Sequence, residues 1–195
     1  MPPPLLLRAC ALGLAFVAAG CGGGDPLPLP AAAPAPPQRA ELDWTESAGE
    51  PGARVVFRVD ELEVLEDGWR AAISITNDTR TQFSVGDPRA ALDRRFGLML
   101  FPTGDVRELE QRNRAGELPE IRAADAYEPP LPLVLEPGRT WSGTISAPGS
   151  LAAGTFVRVV FGALVPVGDP PEGLPEVLVW ITDRAYRLRP AATPG

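Results

Sequence analysis

The fold is decided by residues 54–79, RVVFRVDELEVLEDGWRAAISITNDT. Over Trp69–Thr76 the side chains alternate, with Trp69, Ala71, Ile73 and Ile75 on one face and Arg70, Ala72, Ser74 and Thr76 on the other. A period of two marks a strand with one buried face. Upstream, Val55, Phe57 and Val59 share a face in the same way, then the phase slips and Leu62 and Val64 continue it. One extra residue keeps both halves facing inward, so the spacing predicts a β-bulge near Asp60-Glu61. Asp67-Gly68 separates the two runs and is a strong hairpin signal.

Working outward, Phe96–Phe101 (FGLMLF) is apolar on both faces and suits a buried strand. Leu133–Leu135 runs into Glu136-Pro137-Gly138, where Pro presets φ and Gly accepts a positive one. Trp141, Gly143 and Ile145 alternate with Thr140, Ser142, Thr144 and Ser146. Residues 155–165, TFVRVVFGALV, form the most apolar run, predicted as a central strand, and residues 177–188, VLVWITDRAYRL, close the series. About seven or eight strands with Gly/Pro turns and almost no helical period predict an all-β fold, an antiparallel β-sandwich over residues 53–189 that is Ig-like in the broad sense. The Cys pair around a Trp that marks true immunoglobulin domains is missing. No period of 20–50 residues recurs, which excludes a repeat array. Trp69, Trp141 and Trp180 are expected in the core; Trp44 precedes the predicted domain and either docks on it or faces a partner.

Composition removes most chemistry. The chain of 195 residues has no His, and all 18 of its basic residues are Arg. Without His there is no Ser-His-Asp or Cys-His arrangement, and without Lys no Ser-Lys dyad or Schiff base. Zinc is left with carboxylates alone, a poor ligand set, and neither GxGxxG nor a P-loop is present. The expectation is a non-enzymatic protein with no catalytic residue, no cofactor and no metal site. A glycan-acting enzyme needs two carboxylates about 5–9.5 Å apart, but no aromatic sugar platform accompanies the acids here. Asp60, Glu61, Glu63, Glu66 and Asp67 offer oxygens to calcium or simply a charged face around a bulge and a turn. Asn77-Asp78-Thr79 is formally a glycosylation sequon and reads better as an Asx turn. The net charge of −7 and the lack of basic patches exclude a nucleic-acid partner.

The N-terminus speaks of address. After Arg8 comes an uncharged stretch, Ala9 to Gly20, too short for the roughly 20 residues of a membrane-spanning helix and of the length of a secretory apolar region. Its last five residues, Val17-Ala18-Ala19-Gly20-Cys21, resemble the lipobox of bacterial lipoproteins, although Ala18 stands where most lipoboxes carry Leu. The resemblance implies a signal peptide over 1–20, cleavage before Cys21, and a diacylglyceryl group on the Cys21 thiol, with a further acyl chain (palmitate or its like) on the new amino group. Two or more chains are what stable anchoring needs, at about 0.8 kcal/mol per buried methylene. Cleavage removes Arg8 and no acid, leaving 17 Arg against 25 acids, or −8. It also removes Cys10, so the folded part has no disulfide. Residues 21–52 are expected to be a tether: Gly22–Gly24 as a joint, then six prolines within 22–40 as an extended spacer reaching up to about 60 Å. Residues 190–195 are expected to be a disordered tail.

A further resemblance rests on the order of these features. A lipobox, a Gly/Pro linker, a strand, a D-G turn and a strand running into Ile75-Thr76-Asn77-Asp78-Thr79 are followed by FGLMLF and by Pro137-Gly138 leading to Gly143. Over about residues 53–165 this is similar to the telokin-like, Ig-like domains of unknown function in bacterial lipoproteins. It implies a fold and an extracytoplasmic, cell-envelope location, and no site residues. One segment is surplus to a sandwich: 103–130, with 7 acids against 4 Arg and Tyr127 as its only aromatic. Residues 106–115 within it suit a short helix. So long an insertion is either a binding surface or a solvated cover over a sheet edge. The expected function is a lipid-anchored module that binds a protein or envelope component. The alternatives are a carboxylate enzyme on glycans, a calcium-dependent binder, and an inhibitor of extracellular proteases.

Overall fold

The structure, a computed structural model, describes residues 33–86 and 96–191. The expected signal peptide, Cys21, the tether as far as residue 32 and the last four residues lie outside the described residues. In chain order the elements are β1 (Gln38–Glu50), β2 (Ala53–Val64), β3 (Gly68–Asp78), β4 (Phe83–Val85), β5 (Gly97–Phe101), α1 (Val106–Ala115), β6 (Arg122–Ala123), β7 (Ala126–Glu128), β8 (Val134–Leu135), β9 (Thr140–Pro148), β10 (Phe156–Pro166), β11 (Leu178–Ile181) and β12 (Tyr186–Arg187). They build two antiparallel sheets packed as a sandwich. The first has the order β1-β2-β3-β9-β7, the second β6-β5-β10-β4-β8 with β11 and β12 also on β10. β10 is central, as its apolar run predicts: Val160 pairs with Gly97 of β5 on one side and Ile181 of β11 on the other.

The slip in the β2 pattern is a real bulge. The register against β3 shifts between Val59 and Glu61, so Val55, Phe57, Val59, Leu62 and Val64 all stay buried. The Asp67-Gly68 hairpin is closed by a bond from Leu65 N–H to Gly68 O at 2.9 Å. At the other turn Gly138 has φ of 67°, and Arg139 N–H reaches Glu136 O at 3.1 Å.

The expected boundary at residue 53 is corrected. Gln38–Glu50 is a strand along the edge of the first sheet, with Trp44 and Ala48 buried. Before it, Ala35 N–H donates to Leu151 O at 2.7 Å and Ala153 N–H to Ala33 O at 2.8 Å. The domain thus reaches back at least to residue 33. An edge strand has one neighbour and tolerates charge, and the inward face of β1 mixes Ala40, Leu42, Trp44 and Ala48 with Gln38 and Glu46. That pattern is too polar to read as a strand.

The core between the sheets centres on aromatic rings. Phe57 lies 5.0 Å from Phe161 and stacks on Trp180 at 5.5 Å. In β10, Gly162 has φ of 149°, and a Cβ there would stand 3.0 Å from Val179 Cα. Only glycine suits both constraints.

The insertion is structural cover. α1 spans 106–115 as its sequence predicts. Asp105 caps it by accepting from Arg107 N–H at 2.9 Å, and Gly116 ends it at φ of 71°. Leu109 packs with Met99, Phe101 and Val160 on the outer face of the second sheet, making a small second core. The chain then adds β6 beside β5 and β7 beside β9. The insertion therefore crosses from an edge of one sheet to an edge of the other.

Candidate functional site

The site is built from what the central strand leaves under α1. Arg158 stands in the middle of the most apolar run and is wholly buried on the outer face of the second sheet. Its guanidinium donates to Thr182 O at 2.7 Å, to Asp183 O, and to Gly104 O at 3.0 Å, and it lies 5.4 Å from the centre of the Phe101 ring. One side chain thus ties the start of the insertion to the loop after β11. Burial pushes the pKa of Arg158 down, and the carboxylates of Asp183, Glu46, Glu108 and Asp105 oppose that shift. Its Nε has no hydrogen-bond partner among the described residues.

Glu46 reaches across from β1 to the same loop. Its carboxylate accepts from Trp180 Nε1–H at 2.8 Å, from Asp183 N–H at 3.0 Å and from Arg184 N–H at 3.3 Å. Asp183 sits beside it. Desolvation first, and repulsion from Glu46 second, raise the Asp183 carboxyl above the usual Asp range, while Arg158 pulls the other way. These two acids interact, as the pair in a carboxylate enzyme would. Glu46, however, spends both oxygens on fixed donors, so it serves as a clamp between the two sheets. Farther along the same side, Gln38 Oε1 accepts from Tyr186 OH at 3.2 Å and from Arg189 N–H at 3.0 Å.

Next to this clamp lies a groove of about 360 Å³ between α1 and β11. Leu109, Leu118, Val179 and Ile181 supply its apolar walls, and Glu110, Asn113 and Asp183 its polar lining. Val179 is 42% exposed although it sits on a strand. A second hollow of about 370 Å³ lies beside the Asp67-Gly68 turn, with Asp67, Arg70, Asp125 and Glu128 in its wall. Leu65, Trp69 and Pro148 are its larger apolar residues; the α1–β11 groove, with four aliphatic side chains and a half-exposed Val179, is the better candidate.

The residues singled out in the sequence fall as follows. Glu61 pairs with Arg39, Asp60 with Arg58, and Glu63 with Arg70. These acids spread over a charged face, and among the described residues no three potential metal ligands converge. Asn77 is buried as an Asx turn: Oδ1 accepts from Thr79 N–H at 3.1 Å, and Nδ2–H donates to Leu135 O at 3.0 Å. Its amide is occupied in holding the turn. All four Trp pack in or against the main core. Cys21 lies outside the described residues. Sequence reading overlooked Arg158, Glu46 and Asp183. A lone Arg in TFVRVVFGALV was the available signal, since a charge in so apolar a strand must find partners.

No family model, curated protein or solved structure matches this chain.

Proposed function

We propose that the protein is a lipid-anchored, extracytoplasmic β-sandwich module that works by binding a protein or envelope component, without catalysis. The observation that carries this reading is the sequence Val17-Ala18-Ala19-Gly20-Cys21 at the end of an uncharged run. Small residues before a single Cys are what lipidation and cleavage require. The absence of His, Lys and any Cys after Cys21 supports the non-enzymatic part, because the common nucleophile, base and metal-ligand sets have no members. The pattern-level likeness of residues 53–165 to Ig-like domains of bacterial lipoproteins points the same way.

Among the described residues the bonding reaches back to Ala33, and eleven residues (22–32) separate it from Cys21. Chain geometry limits that span to about 40 Å, shorter than the 60 Å expected of a spacer running to residue 40. The lipid would hold the domain close to the surface. A Cys21→Ser variant tests the reading. It should move the protein from the membrane to the soluble extracytoplasmic fraction and abolish incorporation of labelled palmitate. Unchanged membrane association with no label in the wild type removes the proposal.

A further inference from the structure

We propose that the groove between α1 and β11 receives an extended segment of a partner protein, in which apolar side chains alternate with Arg or Lys, paired as an added strand on β11. This rests on the reading of the protein as a binding module and names the kind of partner its surface fits.

The first support is backbone. Thr182 N–H bonds to Val159 O of β10 at 3.0 Å. Because N–H and C=O groups alternate sides along a strand, Thr182 and Trp180 address β10, while Val179 and Ile181 turn theirs outward. No strand among the described residues pairs with β11 on that side. An unprotected edge is a template for another chain. The open stretch is short: beyond it the outward Asp183 N–H is taken by Glu46 of β1, at 3.0 Å, which leaves the outward groups of Val179 and Ile181 for an incoming chain.

The second support is the groove. An added strand sends alternate side chains to the outer face of the sheet, where Leu109, Leu118, Val179 and Ile181 offer an apolar wall. Val179, 42% exposed, is the surface an incoming apolar side chain would cover.

The third support is charge, and it selects the partner. Glu110 and Asp183 line the groove, Glu46 stands behind Asp183, and among the described residues no Arg lines it, although Arg114, an exposed helix neighbour, stands 3.6 Å from Glu110. A basic, alternating segment meets opposite charge on both flanks. A second copy of this chain would set Glu110 and Asp183 against their own kind, in a protein whose net charge is −7, so self-pairing through β11 is disfavoured.

The test uses the full chain, isotopically labelled and held in detergent micelles. The probe is a capped heptapeptide of alternating Arg and Val, and its counterpart alternates Glu and Val. The Arg peptide should shift amide resonances of residues 178–183 and 109–118 in a saturable way, and bind at least about tenfold tighter than the Glu peptide. Glu110→Arg and Val179→Asp should each weaken it by about tenfold; both side chains are exposed, and unchanged core methyl resonances would show that the variants are folded. Equal binding of the two peptides, shifts centred on another edge, no saturation, indifference to both variants, or concentration-dependent dimerisation through β11 would each overturn the assignment. Lipid labelling at Cys21 is a separate readout. If the peptide fails while the label persists, the groove is wrong and the address stands.

Discussion

Arg158 shows what one residue does for this fold. A buried cation is costly, and exchanging it for an apolar side chain is often harmless when its partners leave with it. Here the partners are the backbone carbonyls of Gly104, Thr182 and Asp183, which stay behind. The orphaned acceptors decide the sign. Arg158→Met should destabilise the domain by about 2–4 kcal/mol in urea unfolding. Arg158→Lys should also lose stability, because one ammonium does not span two loops as the planar fork does. A change below about 0.5 kcal/mol would show that the carbonyls find other donors. Asp183 makes a pH-dependent prediction. Its carboxyl is raised by desolvation and by Glu46, so the folded state favours the protonated form. The resulting stabilisation is complete below the ordinary Asp range and is lost as pH rises through the raised pKa. Asp183→Asn mimics the neutral form. It should unfold at a higher temperature than the wild type at pH 7, and the difference should vanish below about pH 4. A variant less stable than wild type at pH 7 would contradict this.

Among the elements, α1 was readable in advance and β1 was not, and the contrast is physical. Asp105, Glu108 and Gly116 are local signals, acting through caps and the helix dipole within a turn or two of the chain. The β2–β3 hairpin with its bulge was readable for the same reason: alternation and Asp67-Gly68 lie within one stretch. β1 is held by distant residues instead. Glu46 meets Trp180, Gln38 meets Tyr186, and nothing in QRAELDWTESAGE announces either. The groove was equally hidden, since it forms only when the insertion folds back over β10 and β11. Leu109 is the insertion's buried contact in α1. Leu109→Ala should cost about 2–3 kcal/mol and increase dye binding to the uncovered Met99 and Val160 surface. Asp105→Ala should cost about 1 kcal/mol through the lost cap. If neither variant alters the unfolding midpoint, α1 is not the cover described here.

Taken whole, the proposed protein is a surface with an address. A sandwich with no His, no Lys and no thiol after Cys21 presents an acid-lined edge beside a half-exposed valine. Lipid on Cys21 would give that edge its setting: at most about 40 Å of chain separates the anchor from Ala33, so partners would be met near the membrane. The most direct test is the intact mass of the native N-terminal peptide isolated from membranes. The expected result is a chain that begins at Cys21 and carries two or three fatty acyl groups on that residue. A peptide that begins elsewhere, or a Cys21 bearing a bare thiol, would contradict it.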